Sequence, residues 1–176
     1  MDSSTEDKLF ATMKGAPIFG RGNYMGAGTY EIEIDKGFFK RTFKGVDTFV
    51  LEFKITASTN PEHPVGAART WQPKLALPNT DGDLKALMFS VLGREPRDVP
   101  ADDAEAHNLA ALLACSALGY PKAIAALAAL GVPDVAAVLN GKRVSLKCEL
   151  IKIKSTGGDF TRHTWGPAAP AKEGAT

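Results

Sequence analysis

Apolar and polar residues alternate along the chain between positions 28 and 77. Tyr30, Ile32 and Ile34 alternate with acidic residues, and residues 49–56 repeat the same period of two. This period is typical of strands that bury one face, so both segments are predicted as strands facing a common core. Residues 67–77 predict a third strand, at an edge or bulged, because Pro73 cannot donate a hydrogen bond to a ladder.

After position 79 the apolar period becomes helical. Large apolar residues recur at helical spacing behind a run of capping residues, which predicts a helix that ends before Gly93. Ala-rich segments at 101–118, 122–130 and 134–139 are predicted as further helices, separated by turns that contain Gly and Pro. We interpret residues 101–139 as a helical insert with a structural or partner-binding role.

The period of two returns near the end of the chain. Residues 144–150 predict a fourth strand, and the apolar register slips after Leu150, which predicts a bulge or strong coil there. Residues 155–158 are typical of a hairpin loop, and residues 159–165 predict a short fifth strand.

The formal net charge of +1 conceals an uneven distribution. Residues 24–78 contain seven Lys/Arg and six Asp/Glu (+1), residues 80–116 contain three and seven (−4), and residues 140–166 contain six and two (+4). A near-neutral chain can therefore still present a basic groove. Cys115 and Cys148 have no neighbours at metal-ligand spacing and are predicted to be buried apolar residues. Without an apolar run of membrane-spanning length, the expected compartment is the cytoplasm.

The segment between the first two strands, residues 36–45, combines three phenylalanines with four cations and two glycines. Two interpretations are open. Gly37 forms a bulge that reverses the facing of the strand, so that Phe39 and Phe43 are core residues. Alternatively the cations hold a phosphate backbone while the rings stack on bases.

Three strands, a helix and two further strands form the element order of the OB-fold. The predicted fold is mainly β with α: a five-stranded OB-fold Greek-key barrel with a helix between strands 3 and 4 and an additional helical insert. We predict an N-terminal extension (1–27), a single OB-fold domain (28–166, with the insert at about 80–139) and a flexible tail (167–176).

Several short motifs, in order, resemble those of the OB-fold single-stranded DNA-binding proteins of tailed bacteriophages. They are Gly20-Arg21-Gly22-Asn23-Tyr24, the strand at 28–34, Lys44-Gly45 before the strand at 48–53, the turn at 60–66, Arg69-Thr70-Trp71 and residues 158–165. The resemblance implies a replication or recombination protein that coats single-stranded DNA in the host cytoplasm with little sequence preference. Expected partners are single-stranded DNA and other replication or recombination proteins, with homo-oligomerisation open.

Binding of this kind needs cations that displace counterions and aromatic faces that stack on unpaired bases. The candidate cations are Lys40, Arg41, Lys44, Arg69, Lys74, Lys152, Lys154 and Arg162. The candidate stacking residues are Phe38, Phe39, Phe43, Trp71 and Trp165. For both tryptophans the alternative is a role in the core or in barrel closure.

Other classes of function have weaker support in the sequence. An OB-fold protein-interaction module would dock partners through the Ala-rich helices. No catalytic motif, cofactor site or metal-ligand spacing is found, so the chain is predicted not to be an enzyme. The acidic pairs Asp81/Asp83 and Asp102/Asp103 could hold Mg²⁺, but helix capping explains them better.

Overall fold

The computed structural model describes residues 25–77, 79–132 and 135–170. Within these ranges five strands form one antiparallel sheet in the order β3-β2-β1-β4-β5. The strands are β1 (Gly28–Arg41), β2 (Asp47–Ser58), β3 (Ala68–Trp71), β4 (Arg143–Lys152) and β5 (Asp159–Pro167). The predicted N-terminal extension, apart from residues 25–27, and the end of the predicted tail lie outside the described residues.

The helices lie between β3 and β4 in the chain, where the sequence predicts them. They are α1 (Thr80–Val91), a short 3₁₀ helix (Pro96–Asp98), α2 (Ala104–Ala117), α3 (Pro121–Ala129) and α4 (Val135–Leu139). Helix α1 packs against β5 and β4, whereas α2 and α4 pack against β1. The result is a mixed α/β fold in which helices cover part of a five-stranded sheet.

The core lies on the inner face of the sheet, which carries the apolar residues of the alternating pattern. Ile32, Phe49, Leu51 and Phe53 are fully buried there, and α1 adds Leu87 from the other side. Each buried side chain of this size contributes about 1.5–3 kcal/mol from removal of apolar surface from water. The apolar positions that predict the strands are therefore also the ones whose burial stabilises the sheet.

The segment predicted as a connector between the first two strands is mostly strand. β1 continues to Arg41, and the hairpin turns through residues 42–46, where Gly45 adopts a positive φ of 73°. The pairing register shifts between Ile34 and Lys36, so the facing reverses there and not at Gly37, as one interpretation predicts. The same interpretation places Phe39 and Phe43 in the core, but both are exposed, at 39% and 80%.

Two other details of the strands differ from the prediction. β3 ends at Trp71, and among the described residues beyond Pro73 one isolated bridge, between Thr48 and Lys74, continues the pairing. β4 pairs with β5 in one unbroken register as far as Lys152, so the bulge predicted after Leu150 is wrong. Leu150 is exposed because it lies beyond Cys148, which is paired with Gly28, the first residue of β1. No part of β1 pairs with β4 past that point.

Gly37 lies where the sheet contacts α4, and a substitution at this position tests how tightly the two are packed. A Cβ at position 37 would lie 2.9 Å from both Leu139 Cδ1 and Phe49 Cζ, whose side chains are fully buried. Gly37→Ala is therefore expected to lower the free energy of unfolding by about 1–3 kcal/mol through overpacking, measured by urea denaturation. Gly82→Ala in α1, where a Cβ would meet nothing within 4 Å, is the control and should stabilise by about 0.5–1 kcal/mol. Equal effects at the two positions would contradict this packing.

Candidate nucleic-acid interface

The sequence-predicted site residues separate into three groups in the structure, and Arg69 lies apart from all three. One group lies at the β1–β2 hairpin, one lies on the β4–β5 hairpin, and the tryptophans lie in the core. The two hairpins lie at opposite ends of β1: the β1–β2 hairpin turns after Arg41, whereas the β4–β5 hairpin extends past Gly28, which is paired with Cys148. The structure therefore does not bring all thirteen residues onto one continuous surface.

The first group follows the outer face of the sheet, away from the core. Lys36, Phe38 and Lys40 alternate along β1 on this face, opposite Glu52, Val50 and Thr48 of β2. Lys74 pairs with Thr48 from the other side, so Lys40, Thr48 and Lys74 form one row across three adjacent chain segments. Together with the loop residues Phe43 and Lys44, these side chains define what we call the hairpin surface: Lys36, Phe38, Lys40, Phe43, Lys44 and Lys74.

Aromatic rings and cations are adjacent on the hairpin surface. The Lys36 ammonium lies 5.4 Å from the centre of the Phe38 ring, and the Lys44 ammonium lies 5.7 Å from the centre of the Phe43 ring. The Phe43 ring is 80% exposed, which is unusual for a side chain of its size. The exposed Phe43 ring and the half-buried Phe38 ring, each next to a cation, suit stacking on unpaired bases with charge neutralisation of the adjoining phosphates.

Only some of the hairpin cations are available to a ligand. Arg41 donates two hydrogen bonds to the Asp47 carboxylate, at 2.6 and 3.0 Å, and these hydrogen bonds lower the Asp47 pKa below its ordinary value. Lys36 pairs with Glu52 at 3.2 Å. In the part of the chain that the structure describes, Lys40, Lys44 and Lys74 form no ion pair. These three lysines are the cations of the hairpin surface whose charge is not offset by a carboxylate in an ion pair.

Phe39 belongs to a different surface from Phe38. It lies opposite Phe49, on the helix side of the sheet, and lines a small groove with Ser116 and Ala117 from the end of α2. With 39% of its surface exposed, the ring is accessible, but it cannot act together with Phe38 on one face.

For Trp71 and Trp165, burial supports the core alternative rather than stacking on bases. They are only 7% and 2% exposed, and their ring centres lie 5.0 Å apart at an interplanar angle of 64°. Trp71 belongs to β3 and Trp165 to β5, the two outer strands of the sheet. Their contact therefore joins the two edges of the sheet through side chains, and neither ring is available to a ligand.

The second group lies on the β4–β5 hairpin, which extends past the Gly28 end of β1. Lys152, Lys154 and Arg162 are exposed there, and none of them forms an ion pair among the residues described. Phe160, on the same hairpin, is 44% exposed. This hairpin repeats the chemistry of the hairpin surface: unpaired cations beside an exposed ring.

An open cleft of about 1150 Å³ lies between the β4–β5 hairpin and the turn that follows β2. Arg69, the remaining predicted cation, lines this cleft, and its Nε donates a hydrogen bond to His63 Nδ1 at 3.1 Å. The Gly26 amide donates to His63 Nε2 at 2.9 Å. Since a neutral imidazole has one acceptor nitrogen, only one of these donors can be satisfied at a time.

Two histidines of the cleft have pKa values below the ordinary value for histidine. For His63 the cause is burial together with the nearby Arg69 charge, and for His163 the cause is burial. His163 also packs at 6.1 Å from the ring of Trp71. Both imidazoles are therefore neutral at pH 7, and the cleft holds Arg69 as a cation opposite the acidic residues Glu62 and Asp159.

These pKa shifts predict how stability responds to pH. In the unfolded chain a histidine has a pKa of about 6.5, whereas in the folded chain the pKa values of His63 and His163 are lower. As the pH is lowered from 7.5 to 5.5, the unfolded state therefore binds more protons than the folded state, and the free energy of unfolding should fall. Urea denaturation across this range measures the effect. His163→Gln should flatten the dependence, and a wild-type midpoint that does not move would contradict neutral, buried histidines.

Sequence patterns missed several residues of these surfaces. His63 lies in the turn after β2, as the turn-forming residues around it predict, but no pattern predicts that its side chain is 7% exposed and within hydrogen-bond distance of the Gly26 amide and Arg69 Nε. Lys36 and Phe160 were not singled out, although the alternation of Lys36 with Phe38 and Lys40 was a usable signal. No local sequence pattern indicates that His163 and Arg69 line the same cleft, because they belong to different strands.

Of the two acidic pairs, only the second provides a helix cap, through Asp103; α1 begins after Asn79 without a capping side-chain hydrogen bond. The Asp103 carboxylate accepts a hydrogen bond from the Ala106 amide at 3.0 Å, which caps α2 and, with Arg94, lowers the Asp103 pKa. Asp81 and Asp83 lie in the first turn of α1. Across the residues described, no group of three or more His, Cys, Asp or Glu side chains is arranged to hold a metal ion.

No protein-family model and no curated protein sequence matches this chain. The resemblance to phage single-stranded DNA-binding proteins therefore stays a prediction that depends on the sequence motifs. Within the described residues, the helices are all too short or too polar to cross a membrane.

Proposed function

We propose that this protein is a non-catalytic single-stranded DNA-binding protein built on an OB-fold. The strand order β3-β2-β1-β4-β5, with a helix between β3 and β4, is compatible with that fold, and the contact of Trp71 with Trp165 supports closure between the outer strands. OB-folds bind oligonucleotides on the face of strands 2 and 3 and on the loops that join strands 1 and 2 and strands 4 and 5.

The observation that carries the proposal is the position of the unpaired cations. Six of them, Lys40, Lys44, Lys74, Lys152, Lys154 and Arg162, lie on or beside those two hairpins. Each hairpin also presents an exposed phenylalanine, Phe43 or Phe160. A surface with this composition attracts any phosphate backbone and stacks any base, so sequence preference is expected to be small.

The test is a titration of a 5′-fluorescein dT oligonucleotide, followed by anisotropy because the buried tryptophans do not report on stacking. If all six cations contact phosphates, log K should fall with log[salt] with a slope of about −4, so that affinity drops roughly 250-fold between 50 and 200 mM salt. A duplex of the same length should bind more weakly because its bases are not available to the phenylalanines. Absence of binding at 50 mM salt would contradict the proposal.

A second candidate function is docking of a protein partner through the helices. Tyr120, Ile124 and Leu130 in and beside α3 are 56%, 45% and 63% exposed, and apolar side chains of this kind suit a protein interface. In that case Ile124→Glu would abolish partner capture without changing binding of the dT oligonucleotide. The hairpin cations favour the nucleic-acid function.

A further inference from the structure

The β4–β5 hairpin has an outer face that is opposite to the face carrying the core residues. The core-facing residues of β4 alternate with Lys147, Glu149 and Ile151, which therefore lie on the outer face. The pairing of β4 with β5 places Arg162 opposite Glu149 and Phe160 opposite Ile151. Phe160 and Arg162 thus share the outer face and are two residues apart along β5, or about 7 Å.

Three cations lie around one carboxylate on this face. The Lys147 ammonium lies 2.8 Å from Glu149 Oε1, and the two side chains are 57% and 43% exposed. Arg162 and Arg97, the latter from the 3₁₀ helix, are exposed and form no ion pair among the residues described. The pKa of Glu149 lies below its ordinary value because Lys147 donates a hydrogen bond to it and because, more weakly, Arg162 and Arg97 add positive charge. The carboxylate therefore offsets only part of the local positive charge.

The position of Glu149 sets it apart from the other acidic residues of the hairpin. It is the one carboxylate among the outward-facing residues of β4 and β5. Another carboxylate, Glu95, lies over the far end of the face, where a Cβ at Gly166 would be 3.3 Å from its Oε2. A phosphate that approaches Lys147 and Arg162 must therefore compete with Glu149 and is repelled by its charge.

We infer that the outer face of the β4–β5 hairpin is a phosphate-binding surface, on which Lys147, Arg162 and Arg97 hold the single strand and Glu149 limits its affinity. A base stacked on Phe160 has its adjoining phosphate next to Arg162 on the same face. This inference rests on the proposed single-stranded DNA binding. It adds the route of the strand, which runs from the hairpin tip over the outer face toward the 3₁₀ helix and not through the cleft.

The test removes the carboxylate and measures binding of the dT oligonucleotide. Glu149→Gln keeps the size of the side chain and releases Lys147 to a phosphate. Affinity at 50 mM salt should rise about 8-fold, the value of one further contact on a single strand, and the slope of log K against log[salt] should steepen by about 0.7. The control Glu62→Gln makes the same change of charge in the cleft and should raise affinity only slightly, through the general field of the protein.

A second variant tests the same face from the opposite direction. Arg97→Gln removes one cation and breaks no ion pair of the described residues, so it should fold normally. Affinity for the dT oligonucleotide at 50 mM salt should fall about 8-fold. Urea midpoints equal to that of wild-type protein confirm that the variants are folded in the comparison.

The outcomes separate this inference from the proposed function. If wild-type protein binds dT but Glu149→Gln raises affinity no more than Glu62→Gln does, the outer-face route is overturned and the proposed function survives. Unchanged binding in Arg97→Gln overturns the route in the same way, also where Glu149→Gln proves unstable. If wild-type protein does not bind dT at 50 mM salt, the proposed function itself fails.

Discussion

Reversing two lysines of the hairpin surface, in the double variant Lys40→Glu and Lys44→Glu, should cost roughly 60-fold or more in affinity for a dT oligonucleotide at 50 mM salt. Each phosphate contact on a single strand releases about 0.7 counterion, which at this salt is worth about 0.9 units in log K. Two lost contacts give the factor stated, and repulsion from the new carboxylates adds to it. The slope of log K against log[salt] should become shallower by about 1.4 units.

The matched control reverses two exposed lysines elsewhere, Lys122→Glu on α3 and Lys142→Glu before β4, which changes the net charge by the same amount. Affinity should then fall only slightly, through the general field of the protein. Neither hairpin lysine forms an ion pair in the described structure, so the test pair should fold normally. Equal losses in the two variants would mean that the attraction is not local to the hairpin.

Removing the indole in Trp165→Ala should lower the free energy of unfolding by about 3–5 kcal/mol, which is a large part of the stability of a typical domain. The side chain is 2% exposed and packs against Trp71, so the substitution leaves a cavity between the two outer strands. Urea denaturation measures the loss, and the variant's affinity for DNA, measured where it remains folded, should be close to that of wild-type protein.

Phe43→Ala is the complementary variant, because it removes an aromatic ring that is 80% exposed. Its stability should remain within about 0.5 kcal/mol of wild type, as for other surface substitutions, whereas its affinity for dT should fall through loss of stacking. A small stability loss in Trp165→Ala together with a large one in Phe43→Ala would contradict the assignment of these two rings to core and surface.

The sequence predicts the order of the elements well because apolar periodicity responds directly to burial. All five strands and the helix after β3 exist, and α1 begins at Thr80 and ends before Gly93, as the capping and stop residues predict. The register within β1 is less predictable. The side chains of β1 change the face of the sheet on which they lie at Asp35, and this change depends on pairing with β2. The local sequence instead suggests a bulge at Gly37.

The candidate site is predictable only where its chemistry is local. Lys40, Phe43 and Lys44 are close in sequence and remain close on one hairpin. Trp71 and Trp165 have the residue type of a stacking site, but their burial depends on the approach of β3 to β5, which no short segment encodes. The cleft likewise forms only where the turn after β2 contacts the β4–β5 hairpin. The sequence alone therefore does not indicate that the His63–Arg69 pair lies beside His163.

Chemical-shift mapping of the ¹⁵N-labelled chain with a dT oligonucleotide tests the central claim most directly. We expect the largest amide shifts in residues 36–48 and 70–74, at the hairpin surface, and a second set in the β4–β5 hairpin. Shifts confined to the helices at Ala104–Ala117 and Pro121–Ala129, with the hairpin amides unmoved, would contradict the account.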